Sequence, residues 1–126
     1  NGKTPWISNS LALFFILLNE AAYHNRYSKN DKKNAVNSKD WDVPYWYVDA
    51  GAAMMNCILL IEEQGLSSGF MGLHNVDRKK IHDEFKIPDT YQIIGMITAG
   101  VEDDIIGKSK NKHTKRKLTH NELFNK

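Results

Sequence analysis

Residues 48–61 read VDAGAAMMNCILLI, with Asp49 and Asn56 the exceptions in a run of apolar or small side chains. Pro44 stands where a helix begins, and Gly65, after Glu62, Glu63 and Gln64, stands where one ends. A helix apolar all round is buried all round. The chain has 126 residues, enough for one domain with a modest core, residues 1–126. Such a core does not enclose this helix alone. One face is therefore expected to pack on a sheet and another on a partner subunit.

The rest of the chain supplies that sheet. Residues 11–18, LALFFILL, are short, unbroken and aromatic-containing, which suits a strand buried on both faces. A helix continuing through Glu20, Ala21 and Ala22 stays open. The run is too short to span a bilayer, and only Lys3 precedes it with positive charge, which argues against a signal-peptide core. Residues 24–42 are rich in Asn, Lys, Ser and Asp and predict a loop. Residues 77–85 predict a short amphipathic helix with Ile81 and Phe85 four apart, stopped by Pro88. Residues 91–101 predict a strand with Ile93, Ile94, Met96 and Ile97 in the core, and residues 119–124 a last short element. There is no internal repeat.

Hydrophobic residues make up 41% and charged residues 25%, ordinary for a soluble globular protein. The one cysteine, Cys57, permits no intrachain disulfide and fits a reducing compartment. The formal charge of +2 hides an asymmetry. Residues 108–117 hold six cations and no acid, so the other residues carry 11 cationic against 15 acidic side chains. The basic character is local, which points to a discrete anionic partner rather than to a nucleic-acid face.

Directly after the apolar helix comes GLSSGFMG, residues 65–72. Taken alone, Gly69 and Gly72 serve a turn. Together with its neighbours the run looks like the helix–turn–strand of a flavin-binding protein, where glycine lets the main chain approach a ring edge that needs N–H donors. The pieces Trp46 to Ala52, residues 65–72, Phe85-Lys86-Ile87-Pro88, the strand ending at Gly100, and Lys115-Arg116-Lys117 before His120-Asn121-Glu122 follow in this order. Their order and spacing, over most of the chain from Trp41 to Phe124, resemble the nitroreductase family of flavin mononucleotide (FMN) oxidoreductases.

The resemblance implies an α+β fold: a mostly antiparallel sheet packed with a long buried helix. It implies that the backbone of Phe70, Met71 and Gly72 faces the flavin N5 and O4. Leu73 stands where the family often has a second glycine, which implies a tighter loop or a narrower pocket. Arg116, with Lys115 beside it, matches a basic pair on the FMN phosphate; a guanidinium fork suits that group. Lys108, Lys110 and Lys112 fit a solvated charge run. The family's N-terminal portion carries an Arg-rich phosphate motif and polar groups for the flavin ring, and nothing before Trp6 supplies them. The implied activity passes hydride from NAD(P)H through FMN to a small-molecule electron acceptor such as a nitroaromatic or quinone, in a cytoplasmic homodimer with no nucleic-acid or membrane partner.

Other residues add little chemistry. Cys57, Met54 and Met55 fit a core. The five histidines show no metal spacing, and His74 alone lies near the proposed flavin loop. There is no GxGxxG and no Walker loop. Two other readings stay open: a flavin-free remnant that dimerises or binds, and a binder of nucleic acid or an acidic partner through residues 108–117. The second is weakened because no aromatic residue interrupts that run.

Overall fold

The longest of the described strands takes the centre of the sheet. In the computed structural model, which describes residues 7–32 and 36–102, this strand is β3, Gln92–Gly100. β1, Ala12–Leu18, and β2, Ser67–Met71, flank it in the order β1-β3-β2, and both pairings are antiparallel.

Successive residues of a strand face opposite sides, and β3 builds a core on each. Ile97 and Ala99 pack with Ile61, Met54, Cys57 and Ile58 of α2, Tyr45–Glu63. Ile93 and Met96 pack on the other side with Leu73, Phe15, Met71, and Ile81 of α3, Arg78–Phe85. The sheet thus lies between α2 and α3. Ile94 is half-buried and skipped by the β1–β3 register, where Leu17 pairs with Ile93 and Ile16 with Gly95. That bulge lets Ile93 and Met96, three apart, share a face.

β1 departs from the expected strand buried on both faces. It sits at an edge of the sheet among the described residues, and Leu13, Phe14 and Leu17 stay about 40% exposed. Its side chains alone do not say which strand is central, because pairing with β3 decides that.

α2 begins directly after Pro44 and runs to Glu63. Gly65 ends it at φ 75°, where a side chain would be strained, and the Leu66 N–H returns to the Ile61 carbonyl at 3.3 Å. Glu62 then ties the helix end to β2, accepting hydrogen bonds from the Ser68 N–H at 2.8 Å and the Ser68 hydroxyl at 2.9 Å. Only Ala50 and Ile61 of α2 are buried. Val48, Met55, Leu59 and Leu60 are exposed in the single chain, so Met54 joins the core and Met55 does not.

The described residues of the predicted loop, 24–32 and 36–42, hold more regular structure than their polar composition suggests. α1 spans Glu20–Tyr27, capped by the Asn19 side chain accepting from the Ala22 N–H at 3.1 Å. Single 3₁₀ turns follow at Asn30–Lys32 and Ser38–Asp40. Aromatic rings pin the segment to the start of α2. Tyr27 meets Trp41 edge-on at 4.6 Å, and Trp41 meets Tyr45 at 5.5 Å and Trp46 at 6.4 Å. α3 also ends earlier than Pro88: Lys86 closes it in the left-handed region at φ 52°, and the Ile87 N–H bonds to His82 O at 2.9 Å. The predicted element at residues 119–124 lies outside the described residues.

Candidate functional site

β2 runs back along α2, so several chain ends gather at one end of the sheet. They are the C-terminal ends of β1 and β2, the N-terminal end of β3 and the first turn of α2. A hydrogen bond from the Tyr47 hydroxyl of α2 to Gln92 Oε1 of β3, 2.8 Å, joins two of them.

The three candidate flavin residues sit at this end, each in a different environment. Phe70 pairs with Ile97 and so projects to the α2 side, where its ring covers Gly95 and remains 46% exposed. Met71 pairs with Met96 and packs into the α3-side core. Gly72 lies one residue past the last pair and is exposed.

A Cβ added at Gly72 would have a single neighbour within 4 Å, His74 Nδ1 at 3.6 Å. The main chain there is open to a flat group from outside. Leu73, next in line, is 4% exposed and anchors the loop in the core. The residue that replaces a glycine of the flavin pattern is therefore a core residue, and its side chain points away from the open space. The Arg78 guanidinium donates to the Leu73 carbonyl at 3.5 Å, and Asp77 caps α3 by accepting from the Lys80 N–H at 3.2 Å. Loop and helix are thus fastened together beside Gly72. His74 is exposed next to it.

Lys115 and Arg116, the candidate phosphate ligands, lie outside the described residues. Cys57 is a free, half-buried thiol packed against the Ile61–Ile97–Ala99 cluster, as a small apolar residue would be. His24 bonds to Ser38 and Glu20, and His82 to the Ile87 carbonyl. Among the described residues no group of three His, Cys, Asp or Glu side chains is placed to hold a metal, and no helix is long and apolar enough to cross a membrane.

Two features escaped the sequence reading. Gly95 is one; a lone glycine within an apolar strand pattern signals a close approach of other atoms. The other is Trp46, whose buried Nε1–H has no acceptor among the described residues. Nothing in the local sequence marks that donor as unpartnered.

An antiparallel sheet between two helices, with a helix–turn–strand ending on an exposed glycine, defines an α+β protein. The sequence matches the nitroreductase family model over residues 3–101. The chain belongs to the nitroreductase family, a family of flavin oxidoreductases. Among solved structures it is similar to a nitroreductase family protein from Streptococcus pneumoniae TIGR4. The TM-score is 0.62 at 19% identity, over 92% of this chain and 70% of that one. It is also similar to an FMN-dependent nitroreductase from Clostridium difficile R20291, with TM-score 0.50 at 23% identity, over 89% of this chain and 76% of that one. These identities speak for the fold alone. No curated protein matches the sequence.

Proposed function

We propose that this protein is an FMN-dependent oxidoreductase that uses NAD(P)H to reduce a small electron-poor acceptor, and that it works as a homodimer. The observation that carries the reading is the exposed main chain at Gly72, held between Met71 and Leu73, which both pack in the α3-side core. The chemistry that bound FMN supplies is two-electron transfer from reduced nicotinamide to an acceptor such as a nitroaromatic or quinone.

The protein's part is placement. Backbone groups of Phe70, Met71 and Gly72 face the ring edge, and the absence of a side chain at Gly72 lets them come close. Met71 and Leu73, both in the α3-side core, keep that backbone from moving. Arg116 and Lys115 hold the phosphate, the first as a fork and the second as a point charge. The outward side of α2, with Val48, Met55, Leu59 and Leu60 exposed, is covered by a second copy. A lone free thiol at Cys57 supports a cytoplasmic setting.

The test is to incubate purified protein with FMN, remove free flavin, record the visible spectrum and follow NADH and NADPH oxidation with a quinone. Retained flavin and acceptor-dependent oxidation are expected; a colourless, inactive protein would leave a flavin-free remnant as the reading. Arg116→Ala should weaken FMN binding about ten- to a hundredfold, since a charge-assisted hydrogen bond contributes about 1.5–3 kcal/mol. Riboflavin, which lacks the phosphate, should bind equally to both forms, and Lys110→Ala should change neither ligand. Equal losses for Arg116→Ala and Lys110→Ala would show a diffuse basic field instead.

A further inference from the structure

The flavin reading makes no use of a cavity of about 390 Å³ between the end of α1 and the two 3₁₀ turns. Lys29, Lys32 and Lys39 line it, together with His24, Tyr27 and Ser38. Among the described residues no carboxylate does.

Two acids of this segment, Asp31 and Glu20, have partners of their own. Asp31 takes both prongs of the Arg26 guanidinium, at 2.9 and 2.8 Å. That contact holds its carboxyl below the usual carboxylate range. Glu20 bonds to His24 Nε2 at 3.2 Å, on the far side of the imidazole from the Ser38 contact. Among the described residues Lys29, Lys32 and Lys39 form no ion pair. Three lysines lining one cavity favour an anion there over a cation.

The cavity is also built, not merely a group of surface lysines. Its wall holds Ser38, 4% exposed, whose hydroxyl is bonded to His24 Nδ1 at 2.8 Å. With Glu20 accepting from Nε2–H, Nδ1 of the neutral His24 imidazole accepts a hydrogen bond from the Ser38 hydroxyl, so Glu20, His24 and Ser38 form one chain from α1 to the second turn. The Asn37 side chain caps that turn by accepting from the Lys39 N–H at 3.0 Å. Lys32 is positioned from the other side, its Nζ lying 5.5 Å from the centre of the Tyr27 ring.

We propose that this cavity binds the phosphate group of a small phosphorylated molecule. Three lysines in a lining with no acidic side chain among the described residues match a dianion better than a monoanion. The volume exceeds what one phosphate fills, which leaves room for a group attached to it. A nucleic-acid strand is disfavoured, because it needs free aromatic faces along a groove. The rings beside this cavity, Tyr27 and Trp41, are packed edge-on against each other.

The site shares no residue with the 70–72 loop, so it stands or falls apart from the flavin reading. The experiment is calorimetric titration of the full chain, loaded with FMN and then desalted to remove free flavin, using inorganic phosphate, 2′-AMP, 5′-AMP and adenosine. Flavin absorbance on the same sample reports the flavin question separately. The phosphate-bearing probes should bind, more weakly as salt rises, and adenosine should not. Lys29→Ala and Lys39→Ala should each lower affinity about tenfold, the loss of one charge-assisted contact. Lys39→Arg should retain binding, and Lys80→Ala, on α3, should leave it unchanged. Tighter binding of one nucleotide than of inorganic phosphate would make the nucleotide the source of the phosphate; equal binding would make it free phosphate. The proposal is overturned if no phosphate-bearing probe binds, or if adenosine binds as well as they do. It is also overturned if Lys80→Ala costs as much as Lys39→Ala, or if Lys39→Arg loses as much as Lys39→Ala.

Discussion

The ring of Phe70 occupies the place where a side chain at Gly95 would stand. A Cβ there would meet Phe70 Cζ at 2.7 Å and the Met71 carbonyl oxygen at 2.9 Å. The register sets Phe70 opposite Ile97, so the ring leans along β3 over the next residue on the same face. The path of β2 into Gly72 therefore depends on a glycine of another strand.

Gly95→Ala should destabilise the protein by about 1–3 kcal/mol, the usual cost of overpacking. The Phe70 ring can turn away, but the Met71 carbonyl belongs to the backbone and has to shift. Urea unfolding checks this, and a midpoint equal to that of the parent would contradict the close packing. Because the shift falls beside Gly72, flavin retention should fall as well.

Gly72→Val should leave the fold intact and abolish FMN retention. The added side chain has only His74 Nδ1 near it, and Gly72 is not among the residues with positive φ. Its methyl groups would fill the space assigned to the flavin ring. The check pairs a thermal melt with flavin absorbance after desalting. A stable variant that keeps FMN like the parent would show that the ring lies elsewhere.

Tyr23 and Asp49 link α1 to α2 through a hydrogen bond of 2.5 Å from the phenol to the carboxylate. That bond, more than partial burial, pushes the Tyr23 pKa from 10.0 up to about 12. A raised pKa means that the folded state holds the proton longer than the unfolded one. The contribution is complete below pH 10 and is lost as pH rises towards 12. Tyr23→Phe should cost about 0.5–1 kcal/mol at neutral pH, near the low end for a hydrogen bond because Asp49 is exposed. The gap between parent and variant in urea melts should close above pH 10; a gap constant to pH 12 would assign the effect to packing.

Leu59→Asp with Leu60→Asp should dissociate the homodimer. Both leucines are more than half exposed on the outward side of α2 in the single chain, where they contribute little to its own core. Sedimentation at micromolar concentration should show twice the monomer mass for the parent and monomer mass for the double variant. A parent that sediments as a folded monomer would remove the dimer from the proposal.

Much of this fold was legible in the chain because its signals are local. Pro44 and Gly65 bracket α2, Asp77 opens α3, and the apolar run over residues 92–100 marks β3, each through backbone preferences that act within a few residues. The turn into β2 and the glycine at its end were legible for the same reason, and they carried the family resemblance. Local composition misled at residues 24–42, where the many polar side chains hid Tyr27 and Trp41, whose rings pack on each other and, through Trp41, on Trp46 of α2. Other features depend on which distant residues meet. β1 is an edge strand because β3 pairs with it on one side only, and Leu73 is a core residue because Ile93 and Met96 face it. Phe70 lies on Gly95 because the β2–β3 register places it there. Lys29, Lys32 and Lys39 surround one cavity because two 3₁₀ turns fold back on α1. Pairing and packing across the sequence set these relationships, and no property of a single segment encodes them.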